Sequence, residues 1–253
     1  MTRVIAGQEC RDLWIGGRGP VLVFGFSVLL SAMTYLAATN RAMNFLEQRE
    51  AVNLTVQVAL AVGVLLTVVV SADAISGERE RGTFEALLLT PVPRRAIIVG
   101  KLIAATTMWL ACVVVTIPYL WVLGRGVAGV GPAVLLALTV GTLVATGLGG
   151  IGLLFSAGAN SNKTSLAGGL LLLLVLFAPT QLPALPKTGV GEVITRINPI
   201  GSALHYVSQI LVSQRNWTHD LSYLASPVLI ALLVTGVVIV AGPRLVRLTA
   251  GLK

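Results

Sequence analysis

Charge is what this sequence has least of. Of 253 residues, 18 are Lys or Arg and 10 are Asp or Glu, so 11% are charged. A soluble domain carries about 25%, and so small a polar complement cannot cover a soluble globule of this size. Disorder is excluded as well, because 55% of the residues are hydrophobic and disorder needs low hydrophobicity with high charge. Cysteine is nearly absent: Cys10 and Cys112 are too few and too far apart for a zinc site. No period of 20–50 residues is present, which excludes a solenoid. What remains is an integral membrane protein.

The charges leave six long gaps, at 20–39, 51–72, 102–124, 131–158, 164–186 and 221–243. Each is long enough for a helix to cross about 30 Å of hydrocarbon. The apolar runs are continuous rather than alternating, so spanning α-helices are expected and a β-barrel is not. The bases then fix orientation. Twelve of them fall in residues 1–19, 73–101, the turn at Lys163 and the C-terminus, and six fall on the other side. The expected fold is all-α, with six transmembrane helices and both termini in the cytoplasm. It is a single multi-pass domain over 1–253, in the inner or plasma membrane. The net charge of +8 is thereby assigned to topology rather than to nucleic acid, and the two cysteines fall too far apart for a disulfide. The first apolar run follows a mixed-charge segment and reads as a retained span, not a cleaved signal.

Residues 1–19 mix Val4, Ile5, Leu13 and Trp14 with Arg3, Glu9, Arg11 and Asp12, which suits a helix in the cytoplasmic interface. Asn53 and Gln57 are four apart and share a face of the second span. They either bond to a neighbouring helix or line a substrate path. Gly141, Ala145 and Gly149 recur every four residues in the fourth span, with Gly152 and Ser156 beyond, a pattern that lets helices approach closely. The outer connection, 187–220, begins irregularly. Asn198-Pro199 then signals a helix start, and an amphipathic outer helix of about 12–15 residues follows before the last span.

Residues 73–101 hold nine of the charges in 29 positions. Glu78, Arg81 and Glu85 define one helical face, and Phe84, Leu87 and Leu88 another, so an amphipathic helix with an ion-paired polar side is expected. Gly82 interrupts it, and Pro91 and Pro93 end it. Arg94, Arg95 and Lys101 are expected to hold the third span at the cytoplasmic headgroups. The four acids Asp73, Glu78, Glu80 and Glu85 contribute little to topology. Both signs of charge on one helix suit a protein partner better than a lipid surface.

The run Glu78, Glu80, Gly82, Thr83, Glu85, Leu88, Pro91 and Arg94, followed by Gly100 and Lys101, resembles the signature of type-2 ABC-transporter permeases. That resemblance implies a six-helix membrane subunit paired with a second copy or homologue and with cytoplasmic ABC ATPase subunits. It also implies that residues 77–90 form a coupling helix seated on the ATPase, through Gly77, Glu78, Arg79, Glu80, Arg81, Gly82, Thr83, Phe84, Glu85 and Leu88. The subfamilies nearest in appearance include drug, antibiotic-resistance and copper-maturation exporters.

The chain has no ATP-binding loop: Gly100-Lys101 has Arg95 where the motif needs Gly, and Leu102 where it needs Ser or Thr. ATP and Mg would therefore sit on a partner. Catalytic residues and a metal site are not expected, since His205 and His219 lack supporting ligands. No ionisable residue lies mid-span, which disfavours an ion-coupled carrier and suits an amphiphilic or hydrophobic substrate such as a drug, lipid or lipopeptide. An ATPase-independent carrier or channel, and a force-transmitting anchor, are the alternatives.

Overall fold

A computed structural model of the chain describes residues 2–39, 45–84, 89, 92–125, 129–181 and 189–245. Among these, every regular element is a helix. In chain order they are α1 (Thr2–Ile15), α2 (Arg18–Thr39), α3 (Phe45–Asp73), α4 (Ser76–Glu80), α5 (Arg94–Leu123) and α6 (Val130–Leu136). A π-helical turn (Ala137–Gly141) joins α6 to α7 (Thr142–Gly158). After that come α8 (Asn162–Phe177), α9 (Val190–Ile197), α10 (Pro199–Leu211), α11 (Ala225–Val240) and α12 (Gly242–Leu245).

Six helical stretches are long and apolar enough to cross a membrane: Arg18–Ala37, Gln48–Glu80, Arg94–Leu123, Val130–Gly158, Asn162–Gln181 and Leu221–Arg244. Successive stretches run in opposite directions, so Thr2 and Leu245, the first and last described residues, share one face, the termini face. The second, third and fourth stretches are inner helices, with 56%, 61% and 56% of their most apolar windows buried. The first, fifth and sixth are peripheral, at 11%, 17% and 17%.

The inner contacts are close because small residues permit them. Trp109 of α5 is fully buried, and its indole packs against Gly63 of α3 and Gly141 of the π turn. A Cβ at Gly63 would stand 2.7 Å from the ring. The indole Nε1 donates to Thr142 Oγ1 at 3.1 Å, which satisfies its one polar group. Farther along, Gly149 and Gly152 admit Thr67 and Ser71 of α3, while Gly147 and Gly150 admit Ile230 and Val234 of α11. The glycine stripe thus packs the bundle on two sides.

Three boundaries differ from the charge gaps. Helix α5 begins at Arg94 rather than near 102, and α3 begins at Phe45 rather than near 51. Charge marks where hydrocarbon ends, but nothing in those flanking residues breaks a helix, so the helix runs on. The connection before the last span holds a helix, α9, where Gly189 and Gly191 suggested irregular chain, with Glu192 and Arg196 paired at 2.7 Å one turn apart. Asn198 caps α10: its Oδ1 accepts from the Ile200 and Gly201 N–H groups, and Pro199 takes the first position. Helix α10 turns one face inward, with Ile200, Ala203, Tyr206 and Val207 buried in the main core, while Leu204, His205, Ser208 and Gln209 stay half-buried.

Candidate functional site: the charged segment on the termini face

The segment from Asp73 to Phe84 leaves the inner helix α3 and turns across the termini face. Its start is fastened to the turn between α7 and α8. Ser156 Oγ accepts the backbone N–H groups of both Ile75 and Ser76, each at 2.9 Å. Asn162 Nδ2 donates to Asp73 Oδ1 at 2.6 Å, and its backbone N–H donates to Glu80 Oε1 at 2.7 Å. Arg79 donates to the carbonyls of Ala159 (2.7 Å) and Ala157 (3.3 Å), at the end of α7, where a cation meets the negative pole of a helix. Phe84 is buried with Ile75, Ile98, Leu102, Leu153 and Val238.

The other side of the segment is braced by ions. Arg18, at the start of α2, lies 2.6 Å from Asp73, and Arg81 lies 3.6 Å from the same carboxylate. Gly77 lies so close to the Asp73 carboxylate that a Cβ there would collide with it. Lys101 of α5 is the centre of a second group. Only 1% of its side chain is exposed, and its ammonium donates to Glu78 Oε1 at 2.5 Å and to Glu9 of α1 at 3.0 Å. Beside it, Gly100 lets α1 approach through Ile5 and Ala6. A cavity of about 130 Å³ is lined by members of both groups, Glu9, Arg18, Asp73, Glu78 and Lys101, and by Asp12 among others. Burial raises the Glu9 carboxyl above its ordinary value, and the nearby Glu78 charge adds to this against the pull of Lys101.

These placements correct two expectations. Lys101 does not reach the headgroups; it is enclosed by α1, α4 and α5, whereas Arg94 and Arg95 are exposed. Glu78 and Arg81 do not pair along a helix face, because Glu78 turns to Lys101 and Arg81 to Asp73. The described part of the segment is also not one continuous helix. Helix α4 ends at Glu80, and Gly82 takes a left-handed φ of +72°, which tips the chain over before Thr83 and Phe84. Phe84 faces the bundle rather than outward. Glu85 and Leu88 lie outside the described residues.

Four of the singled-out residues, Glu80, Arg81, Gly82 and Thr83, are exposed together at the tip, and Leu89 beyond them is 81% exposed. Gly77 and Phe84 are buried, while Glu78 and Arg79 are half-buried and already bonded. Far from this site, Asn53 is 8% exposed with no partner for its Oδ1, and Gln57 is half-buried one turn along. Local sequence does not single out Asn162, which joins Asp73, Ser76 and Glu80. It also gives no sign of the roles of Glu9 and Arg18. Only pairing across more than 50 residues gives these three their roles, and no local pattern announces that.

No curated protein matches the chain. The family model described as ABC-2 family transporter protein matches residues 9–249, nearly the whole sequence and all six spanning stretches. The chain therefore belongs to the ABC-2 transporter family, as a multi-pass type-2 permease of the plasma membrane.

Proposed function

We propose that this permease is the membrane subunit of an ATP-driven exporter, worked by a separate cytoplasmic ATPase that docks on the tip Glu80–Thr83. The observation that carries the proposal is the division of the segment into an exposed tip and a fastened root. A surface loop with no partner has no need of a root tied to α1, α2, α3, α5, α7 and α8 at once. Force applied at the tip would reach α3 through the Gly77–Asp73 contact and α5 and α1 through Lys101. It would reach α2 through Arg18 and the α7–α8 turn through Ser156 and Asn162. These are inner helices and their neighbours, the parts that must rearrange to open a path.

The excess of bases on the termini face supports a cytoplasmic position for the tip. The apolar spans support an amphiphilic or hydrophobic cargo such as a drug, lipid or lipopeptide. A second copy or a homologue would complete the path, ATP and Mg would stay on the ATPase, and Asn53 with Gln57 would supply polar contacts along the way. The test is co-purification and flux in liposomes. With the ATPase, ATP should drive efflux, and Glu80→Lys combined with Thr83→Trp should abolish both complex formation and flux. Flux by the permease alone, without any ATPase, would establish the carrier reading instead.

A further inference from the structure

The face opposite the termini carries a second polar cavity, of about 180 Å³. Arg49, near the start of α3, lines one side. Gln214 and Arg215, just past the end of α10, line another, and Trp217, Ile210 and Leu211 contribute apolar wall. Arg49 and Arg215 therefore line one space whose lining, among the described residues, holds no carboxylate, with Asp220 lying beyond it 3.6 Å from Arg215. Like charges so placed repel unless an anion lies between them.

The donors are also unspent. Arg49 Nε is buried and has no acceptor among the described residues. A buried N–H without a partner is costly, and native structures seldom leave one so. Arg215 has an acidic neighbour in Asp220, but at 3.6 Å and with 49% of its side chain exposed the contact is a loose ion pair, not a hydrogen bond. Asp220 Oδ2 itself accepts no hydrogen bond. Gln214 has φ +50°, the one positive value at a non-glycine among the described residues. The turn is closed by Arg215 N–H donating to the Gln209 carbonyl at 3.1 Å. Glycine would adopt this conformation without strain, yet the position carries a carboxamide at the cavity wall.

We propose that this cavity binds a phosphate-class oxyanion, held by Arg49 and Arg215 with Gln214 as a third donor. A planar carboxylate is satisfied by one guanidinium fork, whereas a tetrahedral oxyanion presents oxygens to groups arriving from several sides. The cavity is level with the first turns of α3 and α6, where lipid phosphates meet the ends of spans. The phosphodiester of an anionic lipid and free phosphate share this chemistry. The inference is independent of ATPase docking on the opposite face.

The test uses the full chain in phosphatidylcholine nanodiscs containing a minor fraction of phosphatidylglycerol, with native mass spectrometry reading the lipid that stays bound. A parallel arm titrates inorganic phosphate at constant ionic strength, without phosphatidylglycerol, and reads the melting temperature. The site predicts preferential retention of phosphatidylglycerol, reduced about tenfold by Arg49→Gln or Arg215→Gln and partly kept by Arg49→Lys. If phosphate raises the melting temperature of the unaltered chain but not of the Gln variants, and phosphatidylglycerol is not retained, the anion comes from solution. Arg215 is half exposed, so its Gln variant tests the site even if Arg49→Gln unfolds. Equal retention in all variants, with no phosphate response, overturns the proposal.

Discussion

Lys101 shows most sharply what a single residue does in this fold. Its ammonium is nearly inaccessible and is shared by Glu9 and Glu78, and the second oxygen of Glu78 is buried without a partner. Removing the cation leaves two half-buried carboxylates without their shared partner, so Lys101→Met should cost up to about 3 kcal/mol, the low end for breaking a buried pair. Adding Glu9→Gln should recover part of that loss, and thermal unfolding in detergent of both variants measures the coupling. The Glu9 carboxyl is raised in the folded protein, so the fold binds its proton more tightly than the unfolded chain does. That stabilisation is complete below the ordinary glutamate value and is lost as pH rises through the raised one. Glu9→Gln should flatten that part of the stability–pH curve. Gly82, at φ +72°, should lose about 1–2 kcal/mol on change to Ala. The sequence made Gly82 legible as an interruption and Lys101 legible as a charge near a span. The burial of Lys101 was not legible, because it depends on α1 folding back over Gly100 from some 90 residues away.

At the scale of elements, α4 is too short to hold itself and stands on its neighbours. Ser156→Ala would leave the N–H groups of Ile75 and Ser76 buried without an acceptor, at about 1–3 kcal/mol for each. Hydrogen exchange at those two amides should rise well before the rest of α3 loosens. Helix α5 depends on its indole slot in the same way. Gly63→Val would drive a side chain into Trp109 and should cost about 1–3 kcal/mol by overpacking. The six spans were legible because hydrocarbon tolerates so little charge. Their ends were less so: α5 and α3 continue through charged residues because none of these breaks a helix. The Asn198-Pro199 start of α10 was legible from local chemistry, but its place inside the core was not, since Ile200, Ala203 and Val207 are buried by contact with distant helices.

For the whole molecule, three inner helices carry the packing, and α2, α8 and α11 turn apolar residues outward, among them Phe24, Leu36, Leu171, Leu174, Leu232 and Leu233. Those faces suit lipid or a second copy of the permease. The bundle puts Thr83 and Ser161 on the termini face and Ser213 on the other. In a background lacking Cys10 and Cys112, a membrane-impermeant thiol reagent added to intact cells should label Ser213→Cys and leave Thr83→Cys and Ser161→Cys unlabelled. The family and the six spans make the chain a permease; the exposed tip on a fastened root is what supports the proposal of a driving partner. The most direct measurement is therefore contact at the tip. A photoactivatable cross-linker placed on Thr83→Cys, in membranes where the permease and its ATPase are co-expressed, should join the two chains, with a yield that changes on adding ATP. A tip that never cross-links to an ATPase that nonetheless co-purifies with the permease would contradict the account.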